Sequence, residues 1–206
     1  CVYIVNPNNP TATILDSKEL TEFCKRVSKK ATVFVDEAYI EYLDDPDGSS
    51  MASLVSEGYD IIVARTFSKL YGFAGIRIGY AISSEKNIKM IEDNSRGYMG
   101  ISTLSIAAAL AAYKDYDFLN KAKTKTFESK NYLYKVLEDE GYDYIPSSTN
   151  FVMFPINMSG KRFVEEMMKR CVALRQWEFN DKNWCRVSIG TMPDMEAFAK
   201  AFKQIS

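Results

Sequence analysis

Three short apolar runs in the first third of the chain each end in reactive polar groups, and this pattern constrains the fold more than any other feature. The runs are Val2–Val5, residues 32–35 and residues 61–64. The first leads into Asn6-Pro7-Asn8-Asn9-Pro10-Thr11, a turn rich in side-chain amides and held by prolines. The second leads into Asp36-Glu37-Ala38-Tyr39, and the third into Thr66, Ser68 and Lys69, with Arg77 further on. Between the first two runs, Asp16 is placed to cap a helix with Glu19 three residues on. Leu20, Phe23, Cys24 and Val27 then fall at helical spacing. Strand, helix, strand, helix-sized gap, strand predicts a parallel sheet with crossover helices. In such sheets ligands collect beyond the carboxyl ends of the strands. Singly, each polar group has an ordinary explanation: Asp36 caps a turn, Tyr39 is core, Asn9 is a turn residue, Lys69 is solvated. Three consecutive strands ending this way point instead to one site.

The third segment carries the chemistry. A lysine among apolar and aromatic neighbours is expected to lose solvation, which favours the neutral amine that can attack a carbonyl. An arginine near hydroxyls is a phosphate clamp, because its planar fork makes two charge-assisted bonds. Gly72, Gly75 and Gly79 surround these groups and allow sharp turns or close backbone approach. Amine plus clamp suggests a phosphorylated aldehyde held by Lys69 as a Schiff base.

Composition removes several function classes. Net charge is −1 with 26% charged residues, so nothing electrostatic favours nucleic acid or an anionic membrane. There is no histidine, which excludes Ser-His and Cys-His triads and a histidine-containing zinc site. Cys1, Cys24, Cys171 and Cys185 show no C-x-x-C spacing and read as reduced packing residues of a cytoplasmic protein. No apolar run approaches the roughly 20 residues that span a bilayer. The chain opens directly in a strand-like run with neither an initiator methionine nor a signal segment, so residue 1 is expected not to be the natural start.

Further along, a strand is predicted at 80–83 and helices at 86–93 and 103–113. A long amphipathic helix over 117–140, stopping near Gly141, is expected to link two domains. A compact αβ unit follows, with strands at 150–155, 172–175 and 185–189 and helices at 161–170 and 194–205.

Asn-Asn-Pro-Thr, Asp-Glu-Ala-Tyr, Thr-Phe-Ser-Lys with Gly-Ile-Arg, and Arg-Val-Ser-Ile-Gly-Thr occur in an order that resembles the class I/II aminotransferases of PLP fold type I. The nearest subgroup is histidinol-phosphate aminotransferase and its relatives, and the resemblance covers essentially the whole chain. It implies an α/β fold. Residues 1–113 would form the C-terminal part of a PLP-binding large domain, a mostly parallel sheet with crossover helices. Residues 114–206 would form a small α+β C-terminal domain that includes the linking helix. It implies pyridoxal 5'-phosphate on Lys69, with Lys69 moving the substrate proton. Asp36 would pair with the pyridine nitrogen, and Tyr39 and Asn9 would bond the phenolic oxygen. Thr66, Ser68 and Arg77 would bind the phosphate. Arg186 would receive the substrate α-carboxylate, and Arg175 a distal phosphate. The implied reaction exchanges an amino group between an amino acid or amino-phosphate, of histidinol-phosphate or aromatic type, and 2-oxoglutarate or glutamate, in a cytoplasmic homodimer.

Two departures stand out. Ala12 occupies the position where the family motif has glycine. The family also has a long portion before the first strand that carries the aromatic stacked on the ring, further phosphate ligands and a tyrosine reaching across the dimer. This piece alone is therefore expected to bind the cofactor poorly or not at all. The same motifs occur in threonine-phosphate decarboxylases, which are lyases, and in aminotransferase-like sensor domains of transcription regulators; both stay open on the sequence.

Overall fold

The computed structural model describes residues 1–95 and 100–206. They divide into two compact units, Cys1–Asn9 with Ile14–Leu119, and Pro10–Thr13 with Asn120–Ser206.

In the first unit, β1 (Val2–Val5), β2 (Val33–Asp36) and β3 (Ile61–Thr66) run parallel, and β4 (Gly79–Ile82) pairs antiparallel with β3. The sheet order is β1-β2-β3-β4. Val5 pairs with Asp36, and Asp36 with Ala64, so the three strands end at nearly one level. Side chains alternate between the two faces. Val33, Val35, Ile61 and Val63 bury one face with Leu20 and Cys24 of α1 (Ser17–Val27) and Leu54 of the one-turn helix α3 (Ser53–Ser56). Tyr3, Phe34, Asp36, Ala64 and Thr66 occupy the other face. α1 starts where expected, with Asp16 Oδ1 accepting from the backbone N–H of Lys18 and Glu19 at 2.9 and 3.0 Å.

The polar segment between β2 and β3 is more ordered than a loop. A 3-10 turn spans Ile40–Tyr42, and α2 (Pro46–Ser49) begins at Asp45, whose carboxylate accepts from Gly48 N. α4 (Glu85–Asp93) and α5 (Thr103–Tyr113) follow β4. Ala109 of α5 packs with Phe67 and Tyr71. Among the described residues no helix is long and apolar enough to cross a membrane.

α6 (Tyr116–Asp139) runs from the first unit into the second and stops ahead of Gly141, whose φ of 73° is the left-handed conformation of a helix end. In the second unit, β5 (Phe151–Ile156), β6 (Arg175–Phe179) and β7 (Lys182–Ser188) form an antiparallel sheet in the order β5-β7-β6. Val152, Phe154 and Val187 line one face and pack with Leu133 and Leu137 of α6, Phe163 of α7 (Gly160–Met168), and Phe198 and Phe202 of α8 (Met192–Phe202).

Several boundaries differ from expectation, among them the strand predicted at 185–189, which starts at Lys182, and two of the differences have clear local reasons. The strand predicted at 172–175 pairs only from Arg175 onward. Asn180 and Asp181 both take left-handed φ values, 51° and 55°, in a two-residue hairpin turn that sets Phe179 against Lys182. The ladder then runs back to Arg175 opposite Arg186, while Val172 and Leu174 pack on the core without ladder partners. The last helix starts at Met192 rather than 194, because Thr191 is the cap and Asp194 its third residue. Asp194 Oδ2 accepts from Thr191 N at 2.8 Å and from its hydroxyl at 2.7 Å.

Candidate active site

The turn after β2 is built around Asp36. Its Oδ1 accepts from Ala38 N at 3.1 Å, a side-chain turn that carries the chain sideways into Tyr39. Its Oδ2 accepts from the hydroxyl of Tyr3 at 2.8 Å. Tyr3 lies opposite Phe34 across β1 and β2, and the two rings stack with centroids 5.0 Å apart. Asp36 is half-buried and Tyr39 buried.

The turn after β3 brings Lys69 to the same place. Thr66 Oγ1 accepts from Ser68 N at 3.0 Å, which folds the chain back on itself. Phe67 is buried against Tyr71, and half-buried Lys69 sets its ammonium 5.1 Å from the centroid of the Tyr39 ring. The products of two strands, an amine and a phenol, are therefore in direct contact. Two glycines have distinct uses. Gly72 takes φ 74°, and at Gly79 a side-chain carbon would stand 2.6 Å from the carbonyl oxygen of Arg65.

The remaining candidates of this unit are placed more openly. Arg77 is exposed, takes the left-handed φ of 57°, and donates from Nη1 to the carbonyl of Ala74 at 2.8 Å. That bond uses one of five guanidinium donors. Asn9 is exposed at the end of its turn. The neighbouring Asn6 is buried, and its Oδ1 accepts from Leu15 N at 2.9 Å.

Behind these turns lies a buried polar group. Glu37, 1% exposed, accepts through Oε2 from Nε of Arg65 and stands 3.0 Å from its Nη2. Its Oε1 accepts from Met51 N at 2.7 Å, and both oxygens take the Ser50 hydroxyl. Glu37 and Arg65 follow the core-face residues of β2 and β3, so the pair closes the end of that core. Among the described residues, nearby Glu41 has a buried Oε2 with no hydrogen-bond partner. Burial pushes its carboxyl up to about 7, with a smaller upward push from Glu37 and opposition from its own backbone N–H and from Arg65.

In the second unit, Arg186 on β7 is sandwiched between two rings. Its guanidinium carbon is 4.6 Å from the centroid of Phe151 and 4.8 Å from that of Trp177. Arg175, exposed on β6, stands directly opposite it. Arg175, Arg186, Leu174 and Ser188 contribute to the lining of a cavity of about 190 Å³.

The donor set of the first unit is one amine, one phenol, one carboxylate, two hydroxyls and a guanidinium. It fits a phosphorylated pyridine aldehyde: amine for the aldehyde carbon, carboxylate for a ring nitrogen, hydroxyls and guanidinium for the phosphate. A family model described as aminotransferase class I and II matches residues 1–202. The chain belongs to this family. Among class I and II aminotransferases it is 36% identical over 205 residues to the histidinol-phosphate aminotransferase of Caldicellulosiruptor saccharolyticus, a match covering 99% of this chain and 57% of that protein. The chain thus spans little more than half the length of that relative. The crystal structure of a putative histidinol-phosphate aminotransferase from Erwinia carotovora atroseptica superposes with a TM-score of 0.92 at 33% identity, over 98% of this chain and 59% of that one. The Sinorhizobium meliloti histidinol-phosphate aminotransferase, solved in complex with pyridoxal-5'-phosphate, superposes with a TM-score of 0.89 at 28% identity, over 100% and 58%. The α/β architecture with helices on a mixed sheet is the fold of these aminotransferases.

Three residues of the aminotransferase chain escaped the sequence reading. Glu37 and Arg65 stand within motifs singled out for their neighbours, and the one-residue offset that turns them to the opposite face is their only signal. Tyr3 reads as one more apolar strand residue until the β1–β2 register sets it beside Asp36.

Proposed function

We propose that the whole protein is a pyridoxal-phosphate-dependent aminotransferase. It exchanges an amino group between an amino acid or amino-phosphate, of histidinol-phosphate or aromatic type, and 2-oxoglutarate or glutamate. The observation that carries this reading is the Lys69 amine lying over the Tyr39 ring at the ends of parallel strands that also deliver Asp36, Thr66 and Ser68. When bound, the cofactor supplies an electron sink for the pair left when a proton departs the substrate α-carbon.

The chain's own residues do the rest. Nζ of Lys69 would hold the cofactor's aldehyde carbon, and the same amine would take the proton from the substrate α-carbon. Asp36, fixed through both oxygens, binds the ring nitrogen and holds a proton there. Tyr39 and Asn9 bind the phenolic oxygen. Thr66, Ser68 and Arg77 bind the phosphate. In the second unit Arg186 receives the α-carboxylate with a planar guanidinium that its ring neighbours hold in one orientation, and Arg175 receives a distal phosphate. Residues 1–113 serve as the C-terminal part of the cofactor-binding large domain and residues 114–206 as the small domain. Four free cysteines, two of them buried, suit the cytoplasm, and we read the working assembly as a homodimer.

The test is an amino-donor screen of the whole protein with 2-oxoglutarate, histidinol phosphate and aromatic amino acids included. Glutamate formation supports the reading. Release of CO₂ from an amino-acid phosphate without glutamate would replace it with a lyase, and binding without turnover with a sensor.

A further inference from the structure

We propose that Tyr3 is a positioning residue for Asp36, holding that carboxylate through a donated O–H so that it meets the cofactor's ring nitrogen in one fixed orientation. The inference rests on the aminotransferase reading and extends it to a residue outside its motifs. A carboxylate at the end of a strand turns about two side-chain bonds. Ala38 N holds only Oδ1, and that bond alone leaves rotation about the line joining them. The Tyr3 hydroxyl, 2.8 Å from Oδ2, supplies the second point.

The phenol is itself well placed for this. Its ring lies flat on Phe34, with planes 11° apart, on the strand that carries Asp36 two residues further along the same face. Tyr3 is therefore aimed by the sheet register, and its phenol spans the step from its own residue pair to Asp36 on the neighbouring strand. Reduced hydration first, then the hydrogen bond to Asp36 and its charge, push the Tyr3 phenol up to about 12. The hydroxyl thus stays a donor throughout the working pH range. Bonds donated to a charged acceptor are shorter and stronger than neutral ones, so Tyr3 bears directly on where the carboxylate sits.

Tyr3→Phe keeps the stacked ring and removes the bond. The test measures dissociation constants of the whole protein for pyridoxal phosphate and for its 1-deaza analogue, in which a carbon replaces the ring nitrogen. The wild type should prefer pyridoxal phosphate. Tyr3→Phe should weaken pyridoxal phosphate about tenfold, the equivalent of roughly 1.4 kcal/mol, and leave the deaza analogue unchanged. In an Asp36→Asn background, Tyr3→Phe should change neither constant. Equal weakening of both ligands by Tyr3→Phe would mean a merely structural role and overturn the proposal, as would no weakening of either. If the wild type binds both ligands equally well, Asp36 does not meet the ring nitrogen, and Tyr3 loses its assignment even though cofactor binding stands. If the wild type binds neither, the cofactor reading itself falls, and the Tyr3 proposal with it.

Discussion

Arg175 and Arg186 stand directly opposite one another across β6 and β7, two cations on one face of an antiparallel pair. Like charges at such positions repel, and the sheet gains nothing from the arrangement without an anion. Arg186 is further committed by its rings, since a planar guanidinium stacks where an ammonium does not. Arg186→Lys should therefore raise KM for the amino donor by about tenfold or more while stability changes little. Arg175→Ala should leave the unfolding free energy, measured in urea, within about 0.5 kcal/mol of wild type. It should raise KM selectively for phosphate-bearing donors. An equal effect on donors with and without phosphate would remove Arg175 from substrate recognition.

Glu37 and Arg65 form a buried pair whose members depend on each other. Removing Arg65 leaves a carboxylate that is 1% exposed with, among the described residues, the Ser50 hydroxyl and the Met51 N–H as its remaining hydrogen-bond donors. Arg65→Met should destabilise the protein by about 3–5 kcal/mol, and the Glu37→Gln/Arg65→Met double variant by less than the sum of the singles. Urea unfolding measures both, and additive losses would show that the two side chains do not act as a pair.

Glu41 makes stability depend on pH in an unusual direction. Its folded-state carboxyl titrates at about 7 against an ordinary value of 4.5. From about pH 4.5 to 7 the unfolded chain gives up this proton while the folded chain keeps it, so stability falls as pH rises through that window and then levels off. The loss amounts to about 3 kcal/mol at most. Glu41→Gln should flatten the dependence and melt higher than wild type at pH 8. A wild-type melting temperature that rises between pH 5 and 7, with Glu41→Gln unchanged, would contradict this.

Ala12 takes φ 64° with no exposed surface, and its carbonyl accepts from Ser148 N at 2.9 Å. The left-handed backbone costs alanine roughly 1–2 kcal/mol. Glycine would relieve that but give up a buried methyl, about 0.8 kcal/mol, and add unfolded-state entropy of about 0.5–1 kcal/mol. These nearly cancel, so Ala12→Gly should shift stability by less than about 1 kcal/mol. Ala12→Val adds branching where the backbone tolerates none and should cost about 2 kcal/mol or more. Thermal unfolding of the pair checks this.

Much of this was legible because it is local. Asp16 announces α1, the strand ends announce Asp36, Tyr39 and Lys69, and the residue replacing glycine at position 12 marks a left-handed turn that the structure contains. What was not legible depends on register. Pairing Tyr3 with Phe34 decides that a strand tyrosine reaches Asp36, and pairing Arg175 with Arg186 follows from a turn at Asn180 and Asp181 that carries no glycine. Glu37 and Arg65 are separated by 28 positions and meet only because β2 and β3 are neighbours. Spacing along one strand cannot report such contacts.

The account stands or falls with the amine over the Tyr39 ring. The direct measurement is mass spectrometry of the whole protein after incubation with pyridoxal phosphate and reduction with borohydride. A single phosphopyridoxyl group on the peptide containing Lys69, lost in Lys69→Ala, is the predicted result. An adduct on another lysine, or one that persists in Lys69→Ala, would contradict it.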